Sequence, residues 1–116
     1  MKYMLLIYGD ESAMAHATPE QNQAVADEYE AFSRSIRSSG NFLDGDPLLP
    51  TTTATTVAAN GDGIGANGGP AVTTSPQLIA YYKVEADRPE QAVDLAKRVP
   101  HAKYGAVEVR QVVQFD

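Results

Sequence analysis

A chain of 116 residues, 43% hydrophobic and 21% charged, has the size and composition of one globular domain with a modest core. Its 15 acidic and 9 basic residues leave a net charge of −6. The basic residues are scattered, which weighs against a sequence-independent grip on nucleic-acid phosphates or anionic lipid. There is no cysteine, so disulfides, thiolate metal sites and a cysteine nucleophile are excluded.

Residues 2–8, KYMLLIY, read as a strand. Met4 to Ile7 form a continuous apolar run instead of an alternation, so both faces need cover and the strand is central. The run is too short for a signal peptide and stops at Gly9-Asp10-Glu11. No stretch approaches the ~20 apolar residues that span a bilayer. These features, with the absent cysteine, predict a cytoplasmic protein with an intact N-terminus and no membrane or nucleic-acid partner.

Residues 9–18 read as a loop. Thr18-Pro19-Glu20-Gln21 is a capping box with proline at the first helical position. Val25, Tyr29, Phe32 and Ile36 then mark one apolar helix face, ending near Ser39 with Gly40 as a left-handed cap. Asn41 to Leu49 is a second strand, which Gly45 and Pro47 restrict to a bulge or an edge. The threonine-rich run 51–59, the turn 60–63 and a short return over 64–67 predict an extra hairpin around 52–67. The alternative for this region is a surface loop.

Residues 68–85, GGPAVTTSPQLIAYYKVE, join a turn-rich loop to the most strand-like segment of the chain, and predict one wall of any pocket. In the strand 77–86, Leu78, Ala80, Tyr82 and Val84 share one face, and Ile79, Tyr81, Lys83 and Glu85 the other. Asp87-Arg88-Pro89-Glu90 starts a second helix, with Ala92, Val93, Leu95, Ala96 and Val99 as its buried stripe and Pro100 as its stop. Ala106 to Phe115 is the last strand. Val107, Val109, Val113 and Phe115 lie on one face, with Glu108, Arg110, Val112 and Gln114 opposite.

The order β-α-β, hairpin, β-α-β predicts an α+β fold: a ferredoxin-like split motif whose antiparallel sheet carries both helices on one face. The apolar excess on the second face predicts cover by a second copy, and so a homodimer with two sheets packed together.

Several of these residues resemble one family. MKYMLLIYGDE, Phe32…Gly40…Gly45-Asp46-Pro47-Leu48, Gln77-Leu78…Tyr81-Tyr82 and Val107-Glu108-Val109-Arg110…Phe115-Asp116 resemble the YCII-related, DGPF-domain family over nearly the whole chain. That resemblance implies the dimeric α+β barrel fold. The naming motif departs from the family: Gly68-Gly69-Pro70-Ala71 stands where Asp-Gly-Pro-Phe is usual, and Thr73 where Glu is usual. Wider relatives resemble degradative enzymes with a His–Asp pair, and the family is linked to sigma-factor-associated regulation. No histidine here matches that pair.

Candidate site residues follow. The G-x-G-x-x-G match at 63–68 precedes a strand instead of a helix, so it lacks the dinucleotide-binding context. His16 and His101 read as surface histidines, and nothing points to a metal or a cofactor. Asp44 and Asp46 straddle Gly45. They read as turn residues, with Asp46, which matches an acidic family position, as the candidate base. Tyr81 and Lys83 share one strand face, and Glu108 and Arg110 share another. If these faces meet an enclosed space they bind a small organic acid or phenol, Arg110 in bidentate fashion; the alternative is a salt-bridge ladder or a dimer contact. Gly69 and Pro70 keep the family turn at the rim, while Tyr8, Tyr82 and Phe32 read as core.

Two functions are consistent with this pattern. One is a small-molecule-binding protein, with proton transfer, isomerisation or elimination on an organic acid or phenol as its chemistry. The other is a non-catalytic regulatory module that holds a protein partner through an edge or the 50–76 loop. An enzyme predicts a deep pocket with a buried, shifted ionisable group; a module predicts an exposed apolar patch.

Overall fold

The strand Lys2–Gly9 (β1) lies inside a four-stranded sheet, and its residue run explains why. The computed structural model describes residues 1–115. After β1 come a short helix α1 (Glu11–Ala15), the long helix α2 (Pro19–Ser38) and the strand β2 (Phe42–Pro47). A hairpin of β3 (Thr55–Asn60) and β4 (Gly63–Gly68) follows, then β5 (Gln77–Glu85), α3 (Pro89–Lys97), a 3-10 turn at Pro100–Lys103 and β6 (Ala106–Gln111). The sheet order is β2-β5-β1-β6 with antiparallel pairing throughout, which is the ferredoxin-like split motif.

Residues of β1 alternate between the two faces. Tyr3, Leu5 and Ile7 are buried with Ala80, Tyr82 and Val84 of β5, Phe32 and Ile36 of α2, and Ala92, Leu95 and Ala96 of α3. Met4, Leu6 and Tyr8 point to the opposite face and are half-buried. Helix α2 starts as its sequence predicts: Thr18 Oγ1 accepts from the Gln21 amide at 3.1 Å, and Gln21 Oε1 accepts from the Thr18 amide at 2.9 Å. At its other end Gly40 has φ +80°, and the Asn41 amide donates to the Ile36 carbonyl at 2.9 Å.

The hairpin forms, with the expected turn at 60–63. β2 is an edge strand with a register shift between Phe42 and Asp44, as Gly45 and Pro47 implied. Other expectations need correction. Residues 11–15 are helical because the Asp10 carboxylate caps the Ser12 and Ala13 amides. Helix α3 has no side-chain cap at Arg88; instead the Asp87 amide donates to Gln91 Oε1 at 2.7 Å.

Val93 is exposed on α3, one step off the buried stripe. The pairing of β1 with β5 shifts at Ile7/Tyr8, leaving Ile79 as an extra residue. The bulge turns Ile79 into the core beside Gly9, so it does not lie on the face of Tyr81 as strict alternation predicts. β6 ends at Gln111, and Val113 and Phe115 beyond it are exposed. Tyr8 is not core; its hydroxyl reaches Glu108 Oε1 at 3.5 Å on the outer face.

Gly105 closes the fold by close approach. A Cβ there would lie 2.1 Å from the Tyr8 carbonyl oxygen and 3.3 Å from the Gly9 Cα. Backbone cannot yield as a side chain can, so Gly105→Ala should lower stability by about 1–3 kcal/mol in urea unfolding. Gly68→Ala, where no atom lies within 4 Å, should change it by less than about 0.5 kcal/mol. Equal unfolding midpoints for the two variants would refute this packing.

Candidate functional site

Every ionisable sheet residue that the sequence singles out lies on the face turned away from the helices. Pairing aligns them in two rows. Asp46, Tyr81, Leu6 and Glu108 form one row, and Asp44, Lys83, Met4 and Arg110 the next. Tyr81 donates its hydroxyl to Asp46 Oδ2 at 3.0 Å, and this bond raises the phenol above its ordinary pKa. Asp44 accepts from the Gly45 amide at 2.8 Å, the turn-fixing role expected of it.

No salt bridge among the described residues involves Lys83, Arg110 or Glu108, so the cross-strand ladder does not form. Arg110 on β6 stands two strand spacings, roughly 10 Å, from Lys83 on β5. Gly69 and Pro70 lie at the base of the hairpin. The Gly69 amide donates to the Ala54 carbonyl at 2.8 Å, and the Gly69 carbonyl accepts from Thr56 Oγ1 at 2.7 Å.

A second arrangement lies under α2. A cavity of about 430 Å³ is lined by this helix, β2 and the start of β5, together with Met14 of α1 and His101 of the 3-10 turn. Tyr29, Ser33 and Arg37 line it from successive turns of α2, because residues three and four apart share a helix face. Each has a partner. Tyr29 Oη lies 2.6 Å from His101 Nδ1, Ser33 Oγ lies 2.7 Å from Tyr82 Oη, and the Arg37 guanidinium sits 4.4 Å from the centre of the Phe42 ring. Asp46 and Tyr81 border this cavity at the β2 edge of the sheet, with their side chains on the outer face.

His101 is 8% exposed and, apart from tyrosines, is the one buried titratable residue among the described residues. Two glycines make its place. A Cβ on Gly9 would meet the His101 ring at 3.2 Å, and Gly105 accepts the backbone approach that brings the turn onto β1. Burial lowers the His101 pKa against an opposing pull from Glu28, and burial raises that of Tyr29. At neutral pH both groups are therefore uncharged. Tyr29 Oη and His101 Nδ1 share one hydrogen: with the ring hydrogen on Nε2 the Tyr29 hydroxyl donates to Nδ1, and with it on Nδ1 the ring donates to Tyr29.

His101 is thus not the surface histidine that the sequence suggests. The signal for it was present in Val99-Pro100-His101, a short buried run directly after α3. Tyr29 reads as a core position, yet it stands at the core's margin with its hydroxyl on the cavity. His16 is exposed and bonds the Ser12 carbonyl through Nδ1 at 2.7 Å.

The depressed His101 pKa has a defined consequence for stability. The unfolded chain, with an ordinary imidazole, takes up its proton first. The pair's contribution is therefore whole above about pH 6.5, falls as pH drops below that value, and levels off beneath the folded-state pKa. Urea midpoints of the wild type should decline from about pH 7 to about pH 5 more steeply than those of His101→Gln. Parallel declines would show that His101 titrates as an exposed residue.

Comparison with known proteins places this geometry in a family. The model of the YCII-related domain matches residues 1–116. An uncharacterised protein of Rhizobium meliloti (strain 1021) is 27% identical over 117 residues, covering 99% of this chain and 94% of that protein. Asp116, the last residue of the closing pattern, lies outside the described residues. The split β-α-β sheet and a match that runs the length of the sequence agree: the chain belongs to the YCII-related domain family.

Proposed function

We propose that the protein binds a small organic molecule, a phenol or organic acid with an apolar body, in the cavity beneath α2. The carrying observation is the lining. Two neutral hydroxyl pairs, Tyr29–His101 and Ser33–Tyr82, stand among Met14, Phe42, Leu48 and Ile79. A mostly apolar cavity with a few convergent polar groups and a shifted ionisable residue is the usual form of a ligand site. Its chemistry would be proton transfer, isomerisation or elimination; Asp46, bonded to Tyr81 on the outer face, is a candidate base only for a ligand that reaches over the β2 edge. We assign the protein to the cytoplasm, on the support of a cysteine-free sequence.

We also propose a homodimer formed through the outer sheet face. Met4, Leu6 and Tyr8 run down its middle with no helix over them, an apolar stripe that a two-fold mate would cover. In that assembly Lys83, Glu108 and Arg110 would bind ligand or partner only at the seam.

A second reading rests on the hairpin. Val57 is 66% and Ile64 80% exposed, and the radius of gyration, 16.0 Å, exceeds the roughly 13 Å of a compact chain of this length. This projecting apolar arm suits an interaction module that holds a protein partner.

Thermal-shift screening with phenols and small organic acids separates these readings. A ligand should raise Tm for the wild type and for Arg110→Ala, and should lose its effect in Ala26→Trp, which fills the cavity from an exposed helix position. Loss in Arg110→Ala with retention in Ala26→Trp would move the site to the outer face. No shift with any ligand would leave the hairpin reading. For the dimer, light scattering at micromolar concentration should give twice the 12.4 kDa chain mass; a monomer would contradict it.

A further inference from the structure

We propose that Tyr29 and His101 form a proton relay that takes the hydroxyl proton of an enol or phenol bound in the cavity, with the Ser33–Tyr82 pair donating to the oxyanion that results. The proposal rests on the cavity being the ligand site. Its geometry comes from hydrogen counting. In the Nε2–H tautomer of His101, Tyr29 spends its one hydroxyl hydrogen on Nδ1, 2.6 Å away, and its oxygen offers lone pairs only. A polar ligand group that approaches Tyr29 must therefore be a donor, and the donor whose proton can move on is a hydroxyl of an enol or phenol.

The neighbouring pair has the opposite character. Ser33 and Tyr82 hold two hydroxyl hydrogens between them and use one in their 2.7 Å bond, leaving the other to donate. Ser33 follows Tyr29 by one helical turn, which sets their Cβ atoms about 5–6 Å apart on one face. One ligand oxygen can therefore give its proton to Tyr29 and receive a hydrogen bond from the Ser33–Tyr82 pair.

The step balances without a further reactant. The ligand O–H bond breaks, and its electron pair stays on the ligand oxygen. The proton bonds to Tyr29 Oη while the former Tyr29 hydroxyl proton passes to Nδ1, giving an imidazolium protonated at both nitrogens. Tyr29 is neutral before and after, in keeping with its buried phenol. For an enol, return of the proton to carbon by the same route yields the keto tautomer and restores His101. Tyr29 touches the ligand; His101 acts through it. Glu28 and Tyr104 face the imidazole from α2 and from the turn after α3, and Glu28 is already paired with Lys103 at 2.9 Å. Glu30, Arg37, Asp46, Tyr81 and Tyr82 are the other titratable groups on the cavity.

The test uses 4-nitrophenol, whose phenolate has its own absorption band. Bound to the wild type about one pH unit below its free titration midpoint, it should show roughly two- to fivefold more phenolate than free ligand at that pH, since burial limits how far His101 takes the proton. Tyr29→Phe and His101→Gln should still bind it, with the excess phenolate gone. In the unmutated protein, nitrogen-15 spectra of the histidine rings should report protonation of both His101 nitrogens once the site is saturated. Bound ligand that stays a phenol, or a His101 ring that stays neutral, would overturn the relay while leaving the cavity as a binding site. Failure of 4-nitrophenol and of every other phenol and acid to bind would remove the cavity reading and the relay with it.

Discussion

Tyr3, Leu5 and Ile7 are sealed beneath two helices, while Met4, Leu6 and Tyr8 of the same strand have no helix over them. That asymmetry organises the molecule. Burial of Leu5 and Ile7 contributes roughly 1.5–3 kcal/mol each, enough to hold α2 and α3 against one side of the sheet. The other side is left with an apolar stripe along β1, flanked by charged residues of β2, β5 and β6. A strand flanked by β5 and β6 offers no free edge, so any further contact must come through that outer face or through the outlying β2, β6 and hairpin.

The cavity is a product of the same packing. Helix α2 is held to the sheet by Phe32 and Ile36, on the same face as Tyr29 and one or two turns further on. Toward the N-terminal end of α2 the helix is matched by small groups, Ala26 above and Ala80 below, and space remains. Polar groups at that margin must be satisfied or cost about 1–3 kcal/mol each, and Tyr29, His101, Ser33 and Tyr82 satisfy one another in pairs. The pairing holds them in fixed positions without charge. That is a state suited to receiving a ligand hydroxyl, and it requires no partner chain.

Much of this was legible in the sequence. Thr18 and Gln21 are local partners three residues apart, and Asn60 to Gly63 is a local turn, so both are written in adjacent residues. Tyr81 with Lys83, and Glu108 with Arg110, follow from period-two alternation within a strand; that both pairs and Asp46 fall on one sheet face comes from the pairing with β1 and β2. Where alternation fails, so does the reading. One extra residue at Ile79 reverses the facing of the strand's first positions, and no local pattern announces a bulge whose cause is pairing with β1. The burial of His101 is still less local. It depends on Gly9, some ninety residues earlier, and on the approach of Gly105 to Tyr8.

The naming motif shows the same limit from the other side. Gly69 and Pro70 hold a turn closed against Ala54 and Thr56, a backbone task for which the missing aspartate and phenylalanine are not needed. The polar groups that line the cavity come instead from α2, β5 and the turn after α3. The most direct measurement is a crystal structure of the protein soaked with a simple phenol. The account predicts density beneath α2, with the phenol oxygen within hydrogen-bonding distance of Tyr29 Oη and of the Ser33–Tyr82 pair. Phenol found instead on the outer sheet face, beside Lys83 or Arg110, would contradict it.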